Sequence, residues 1–171
     1  MPISMYTVSV PVFVQHLNAL SAILDKAAAF AEAKKFDPSV LLNMRLYPDM
    51  YPMVKQVQEA TRHAVRVTGL LAGIQAPDLP NTETSIPELK ARIAKAVDFL
   101  NSVKPAQIEG TEDKEIKIAF SSGERTYTGH SLLMTHSLPN FFFHCTTAYD
   151  LLRQVGIDIG KRDFMGRPPR T

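Results

Sequence analysis

A chain of 171 residues with 45% hydrophobic and 21% charged residues has the size and composition of one ordinary globular domain, which excludes disordered and fibrous classes. Its net charge of +2 is too small to build a strong field for nucleic acid, and the cations are dispersed along the chain instead of gathered with aromatics. Apolar runs stop short of the roughly 18 to 20 residues a bilayer requires, no basic segment leads into an apolar one at the N-terminus, and Cys145 has no second cysteine to pair with. A cytoplasmic protein with neither a membrane nor a nucleic-acid partner is expected.

Val10, Phe13, Val14, Leu17, Leu20, Ile23, Leu24 and Ala27 recur at spacings of three and four, which predicts a long amphipathic helix ending near Ala33, with Pro11 tolerated at its start. Asp37 and Pro38 mark the cap of a short helical piece, and Tyr47-Pro48 and Tyr51-Pro52 a turn-rich approach to the second long helix. That helix runs from Met53 to Leu71 on Val54, Val57, Ala60, Ala64, Val67 and Leu70, and stops at Gly73. After a loop over 74–84, Ser85 and Glu88 form a capping box for a third helix. Its face is Leu89, Ile93, Ala96, Val97 and Leu100, and it ends before Pro105.

Alternation over Ile116, Ile118 and Phe120, a turn containing Gly123, and Arg125 to Thr128 predict a β-hairpin, which must pack on other structure to be stable. Helical pattern resumes at Leu132, Pro139 marks a restart or kink, and Phe141 to Gln154 complete helix four, with Gly156 at its end. The fold class is therefore all-α, a four-helix bundle with a hairpin inserted before the last helix. It forms one domain over 1–171, with 155–171 as a C-terminal tail. Lys161, Arg162, Arg167 and Arg170, interrupted by Asp163 and closed by Pro168 and Pro169, predict a tail that is solvated or docked on a partner subunit.

No P-loop, dinucleotide fingerprint or nucleophile elbow is present, so the five histidines are the chemically suggestive residues. His136, Asn140 and His144 are four apart and share a face if helix four runs through Pro139, while Glu59 and His63 share a face of helix two. Facing helices of a bundle bring such groups to one point, and about three imidazole or carboxylate ligands suit a divalent zinc, nickel or iron ion. His63, His144 and one of Glu59, Asn140 or His136 supply that number. His16 and His130 read as packing or surface histidines. Cys145 reads as a packing cysteine, because adjacent residues on a helix point about 100° apart and His144 cannot serve as its base. Phe141, Phe142 and Phe143 cannot all face one core, which predicts that at least one lines a pocket, a helix crossing or a subunit interface, the interface being the preferred reading.

The segment Arg45-Leu46-Tyr47-Pro48-Asp49-Met50, the block Leu138-Pro139-Asn140-Phe141-Phe142-Phe143-His144-Cys145 continuing to Arg153, and the ending Gly160-Lys161-Arg162-Asp163-Phe164 resemble a bacterial family of unknown function similar to a branch of the DinB/YfiT-like superfamily. The resemblance implies an up-down four-helix bundle, commonly a homodimer, with a divalent metal held by one histidine of helix two and two histidines four apart on the last helix. By position these match His63, Asn140 and His144. The amide at Asn140 departs from that pattern, since an amide oxygen binds zinc or nickel far more weakly than imidazole. Two functions follow as expectations. One is a bundle protein with a degenerate or atypical inter-helix histidine site, its pocket open to a small molecule or to nothing. The other is a metal-dependent thiol transferase or hydrolase using His63 and His144.

Overall fold

The computed structural model describes residues 3–120 and 122–167. Its elements are α1 (Val10–Lys34), α2 (Ser39–Asn43), α3 (Met53–Ala72), α4 (Ile86–Ser102), a 3-10 turn (Pro105–Gln107), β1 (Glu115–Phe120), β2 (Gly123–Thr128), α5 (Gly129–Ser131), a π-helical segment (Leu132–Ser137), α6 (Leu138–Gln154) and α7 (Lys161–Met165). α1, α3, α4 and α6 are the four bundle helices; α3 packs on both α4 and α6, and α1 packs on α4. Their apolar stripes meet in one core whose largest fully buried side chains include Phe13, Leu17, Ile23, Met53, Leu71, Leu89, Ile93, Leu100 and Phe141. No helix among the described residues is long and apolar enough to cross a membrane.

The helix ends follow local chemistry. The backbone N–H of Ser39 donates a hydrogen bond to Asp37 Oδ1 at 2.8 Å at the start of the short α2. α3 ends at Gly73, whose φ of 68° is left-handed backbone that costs a residue with a Cβ more than it costs glycine. At the start of α4, Glu88 N–H donates to Ser85 Oγ at 3.3 Å and Ser85 N–H donates to Glu88 Oε2 at 3.1 Å, closing the capping box. α4 is tied to α3 by Arg92, only 4% exposed. Its guanidinium donates to Thr61 Oγ1, to the Gln58, Leu79 and Pro80 carbonyls, and to Glu83 Oε1 at 2.9 Å.

The hairpin pairs Ile116 with Tyr127, Ile118 with Arg125 and Phe120 with Gly123. Directly opposed residues share a face, so Ile116, Ile118 and Phe120 lie on the same side as Tyr127 and Arg125. Buried Ile116 and Ile118 identify that side as the one pressed onto the bundle. The chain then enters a helical column that is continuous from Gly129 to Gln154, so Pro139 does not restart the helix. Proline has no N–H to give the carbonyl four residues earlier, and the column widens to a π-helix over Leu132–Ser137 directly before it.

One expectation changes and one is met in part. The tail docks on its own chain over 161–166: α7 packs on α1, with Gln15 Nε2 donating to the Met165 carbonyl at 2.7 Å and Lys26 paired to Asp163 at 2.7 Å, while Lys161 and Arg162 stay exposed. Phe164 fills the space against His16 and Tyr149. Pro168, Pro169 and Arg170, also assigned to that tail, lie outside the described residues. The phenylalanine run divides three ways, with Phe141 buried against Phe13, Phe142 edge-on to His16, and Phe143 54% exposed on the outer side of α6.

Candidate metal centre

α3 is unusual among the four bundle helices because polar groups lie on its buried side: Gln56, Gln58, Glu59, Thr61, His63 and Thr68 are all buried. Gln56, Glu59 and His63 are separated by three and four residues, which aligns them on one face turned to α6. His144 projects from α6 to meet them. The His63 and His144 rings stack with centroids 5.7 Å apart. One donor atom each from Glu59, His63 and His144 lie within 4.8 Å of one another, all three residues being buried.

Hydrogen bonding fixes which nitrogen of each ring is free. The Tyr51 carbonyl can only accept, so the Gln56 amide nitrogen turns to it at 3.0 Å, and Gln56 Oε1 faces His144 Nδ1 at 2.7 Å. The His144 proton therefore sits on Nδ1 and the lone pair on Nε2. Arg62 Nη2 lies 3.4 Å from His63 Nε2, and because a guanidinium only donates, that nitrogen also carries its lone pair. Burial first, then the Arg62 charge and His144, lower the His63 pKa to about 3. Burial likewise lowers His144. Both imidazoles are neutral at pH 7, the form that binds metal.

Glu59 is held as a carboxylate. Its burial works to raise its pKa, but hydrogen bonds and charge from Arg62 and Lys55 outweigh this and bring it to about 2. Lys55 Nζ is 2.9 Å from Oε1, Arg62 Nε is 2.7 Å from Oε2, and Oε2 is 4.0 Å from His63 Nε2. Two neutral imidazoles and one carboxylate form a donor set suited to zinc, iron or nickel. Tetrahedral bonds of about 2.1 Å would place ligand atoms about 3.4 Å apart, so the set closes with small side-chain rotations.

The other expected ligands fall elsewhere. Asn140 has its amide nitrogen committed within the same helical column, donating to the His136 carbonyl at 2.7 Å. His136, in the π segment, stands with its ring 5.6 Å from His63 and against Phe120 and Tyr127, under the hairpin but outside the three-donor group. His130 is exposed, and His16 is a packing residue whose Nδ1 is 3.0 Å from the Val12 carbonyl. Cys145 is buried, which pushes its thiol pKa far up and leaves it unreactive. Gln56, Lys55 and Arg62 were not anticipated. The three-then-four spacing of Gln56, Glu59 and His63 is the signal that would have found the first of them.

A family model described as a domain of unknown function (DUF1993) matches residues 5–165. The chain is also similar to the crystal structure of a DinB family member protein from Shewanella denitrificans, at 37% identity and a TM-score of 0.88, over 97% of this chain and 94% of that one. No curated protein matches. With a helical bundle, an inserted hairpin and a family match over nearly its whole length, the chain belongs to the DUF1993 family, a DinB-like family of unknown function.

Proposed function

We propose that this protein is a DinB-like bundle with an atypical divalent-metal site, in which Glu59 of α3 takes the place that a second histidine of the last helix fills in related bundles. The observation that carries this reading is the convergence of Glu59, His63 and His144 donors within 4.8 Å, with Gln56 fixing His144 in the tautomer that offers Nε2. A bound zinc, nickel or iron ion would supply Lewis acidity, lowering the pKa of water or of a thiol, which places thiol transfer and hydrolysis first among the reaction classes. His63 and His144 would hold the ion and Glu59 would neutralise part of its charge. The hairpin residues Phe120 and Tyr127 limit water on the His136 side.

The test is metal content by mass spectrometry after purification without chelator. Near-stoichiometric metal that is lost in His144→Ala and reduced in Glu59→Gln supports the site. Less than about a tenth of an equivalent, unchanged in His144→Ala, refutes it. That second result would favour a degenerate site, for which one observation also speaks: the Arg62 guanidinium beside His63 Nε2 already supplies a cation. We further propose a homodimer, supported by the exposed Phe143 and Met134 of the last helical column, with light scattering on the purified protein as its test.

A further inference from the structure

Beside the metal centre, where the hairpin meets α3, positive charge accumulates without acidic partners. Arg66 lies one helical turn beyond Arg62 on α3 and lines a narrow cavity with His63, Val67, Leu70, Ile118, Leu132, His136 and Ser137. That cavity holds about 10 Å³, room for no more than one water. Arg125 approaches from the hairpin side, near enough that after burial the charges of Arg66, Arg62 and Arg125 all lower the His136 pKa. Its strand register pairs it with Ile118, a cavity residue, and its guanidinium lies 5.4 Å from the Phe120 ring, which in turn packs edge-on at 5.6 Å against His136.

Among the described residues, no carboxylate is within ion-pair distance of Arg66 or Arg125. Glu59, the acid of this face, is already bound by Lys55 and Arg62. Glu124 adjoins Arg125 in sequence, but alternation along a strand turns it to the opposite face, where it pairs in register with Ala119. Arg66 is half-buried, and a guanidinium that gives up water without gaining a partner is unfavourable. Its fork of N–H groups matches carboxylate and phosphate geometry.

We propose that the rim formed by Arg66 and Arg125 over His136 is an oxyanion subsite, which takes the carboxylate or phosphate of an anionic small molecule. The cavity beneath is too small for the anion, so the anion sits on the rim and not within it. The subsite stands on its own residues; its role as a substrate handle rests on the metal-centre reading.

The experiment is a titration of metal-free protein, kept in chelator at constant pH and ionic strength, with inorganic phosphate in one arm and succinate in the other. The imidazole resonances of His136 are followed, with those of His16 as the distant control. Saturable movement of His136 in at least one arm, with a Kd of the order of millimolar and no movement of His16, is expected, and the tighter arm names the group. Arg66→Met and Arg125→Met should each weaken binding about tenfold, the loss of one charge-assisted hydrogen bond, and Arg66→Lys should retain part of it. If Arg66→Met does not fold, Arg125→Met, on an exposed strand position, carries the comparison. His144→Ala should bind the anion like the wild type while losing metal, which separates the two readings. No saturable change up to about 50 mM, equal movement of His16, or wild-type affinity in Arg125→Met would each overturn the subsite.

Discussion

Replacing Gln56 by Leu removes the oxygen that accepts from His144 Nδ1–H and the amide that donates to the Tyr51 carbonyl. Leucine fills similar space, so the change leaves the packing and deletes two hydrogen bonds, one of them buried. The His144 donor, on a side chain 7% exposed, would then have neither a protein partner nor ready access to water. An unsatisfied buried donor costs about 1 to 3 kcal/mol, and in a chain of this length each kcal/mol lowers the melting temperature by about 2 to 4 °C. A drop of about 2 to 12 °C is expected in thermal melts recorded with chelator. The same variant frees the ring to rotate and to change tautomer, and loss of such a supporting partner typically weakens metal binding about 10- to 100-fold. Competition against a chromophoric zinc chelator measures this directly. Gln56→Glu keeps an acceptor at the same place and should retain most of the affinity. If Gln56→Leu melts with the wild type and binds zinc equally well, Gln56 does not position His144 and the tautomer argument fails.

Arg92→Met removes the counter-charge of Glu83, whose carboxylate is held below the usual range by the arginine despite its burial, and the donor to the Leu79 and Pro80 carbonyls. Urea unfolding should show a loss of about 3 to 5 kcal/mol, as for other broken buried pairs. Acid should destabilise the fold early. The His63 pKa of about 3 lies below the ordinary 6.5, so the unfolded chain binds its proton first. This contribution is complete above pH 6.5 and is lost as pH falls toward 3, about 2 kcal/mol of it between pH 7 and 5. Glu59, at about 2, adds a loss in the same direction below pH 4.5. Urea midpoints that do not change between pH 7 and 5 would contradict this. Cys145 should react with a maleimide only at the rate of global unfolding, followed by mass spectrometry, and rapid labelling of the native protein would show that it is not enclosed.

The bundle was readable because its signals are local. Apolar residues at spacings of three and four, the Ser85/Glu88 box and the stop at Gly73 each act within a turn or two of their own position, and the observed helices follow them closely. His63 and His144 were readable as candidates for the same reason, since Glu59 lies one turn before the first and Asn140 one turn before the second. What sequence could not decide was the third donor. Asn140 and Glu59 are both one turn from a histidine, and the choice depends on the rotation of α6 about its axis. The π-helical segment Leu132–Ser137 before Pro139 takes His136 out of the α-helical register that Asn140 and His144 share. Asn140 bonds within the same helical column, His136 turns under the hairpin, and Glu59 is left as the carboxylate that faces both rings. The docking of α7 was hidden differently: five residues carry little helical signal, and Phe164 acquires meaning only against His16 on α1.

Arg62 provides the sharpest test of how the site is built. Its guanidinium bonds Glu59 and approaches His63 Nε2 at 3.4 Å, so an ion bound to that nitrogen at about 2.1 Å would lie within about 5.5 Å of a positive charge. Repulsion between a dication and a guanidinium at about 5 Å is roughly 2 kcal/mol in water and roughly 6 to 7 kcal/mol at an effective dielectric of 20. The arginine side chain is 40% exposed and has room to swing outward, which brings the cost toward the lower figure and shares it with the loss of its bond to Glu59. Arg62→Ala should therefore tighten zinc binding about fivefold to tenfold in the chelator competition. It should also allow His63 to protonate at a higher pH, because one of the charges that depresses it is gone. The opposite result, weaker zinc binding in Arg62→Ala, would mean that the arginine's hold on the Glu59 rotamer outweighs its charge. Arg62 would then be part of the scaffold of the metal centre and not a competitor for it.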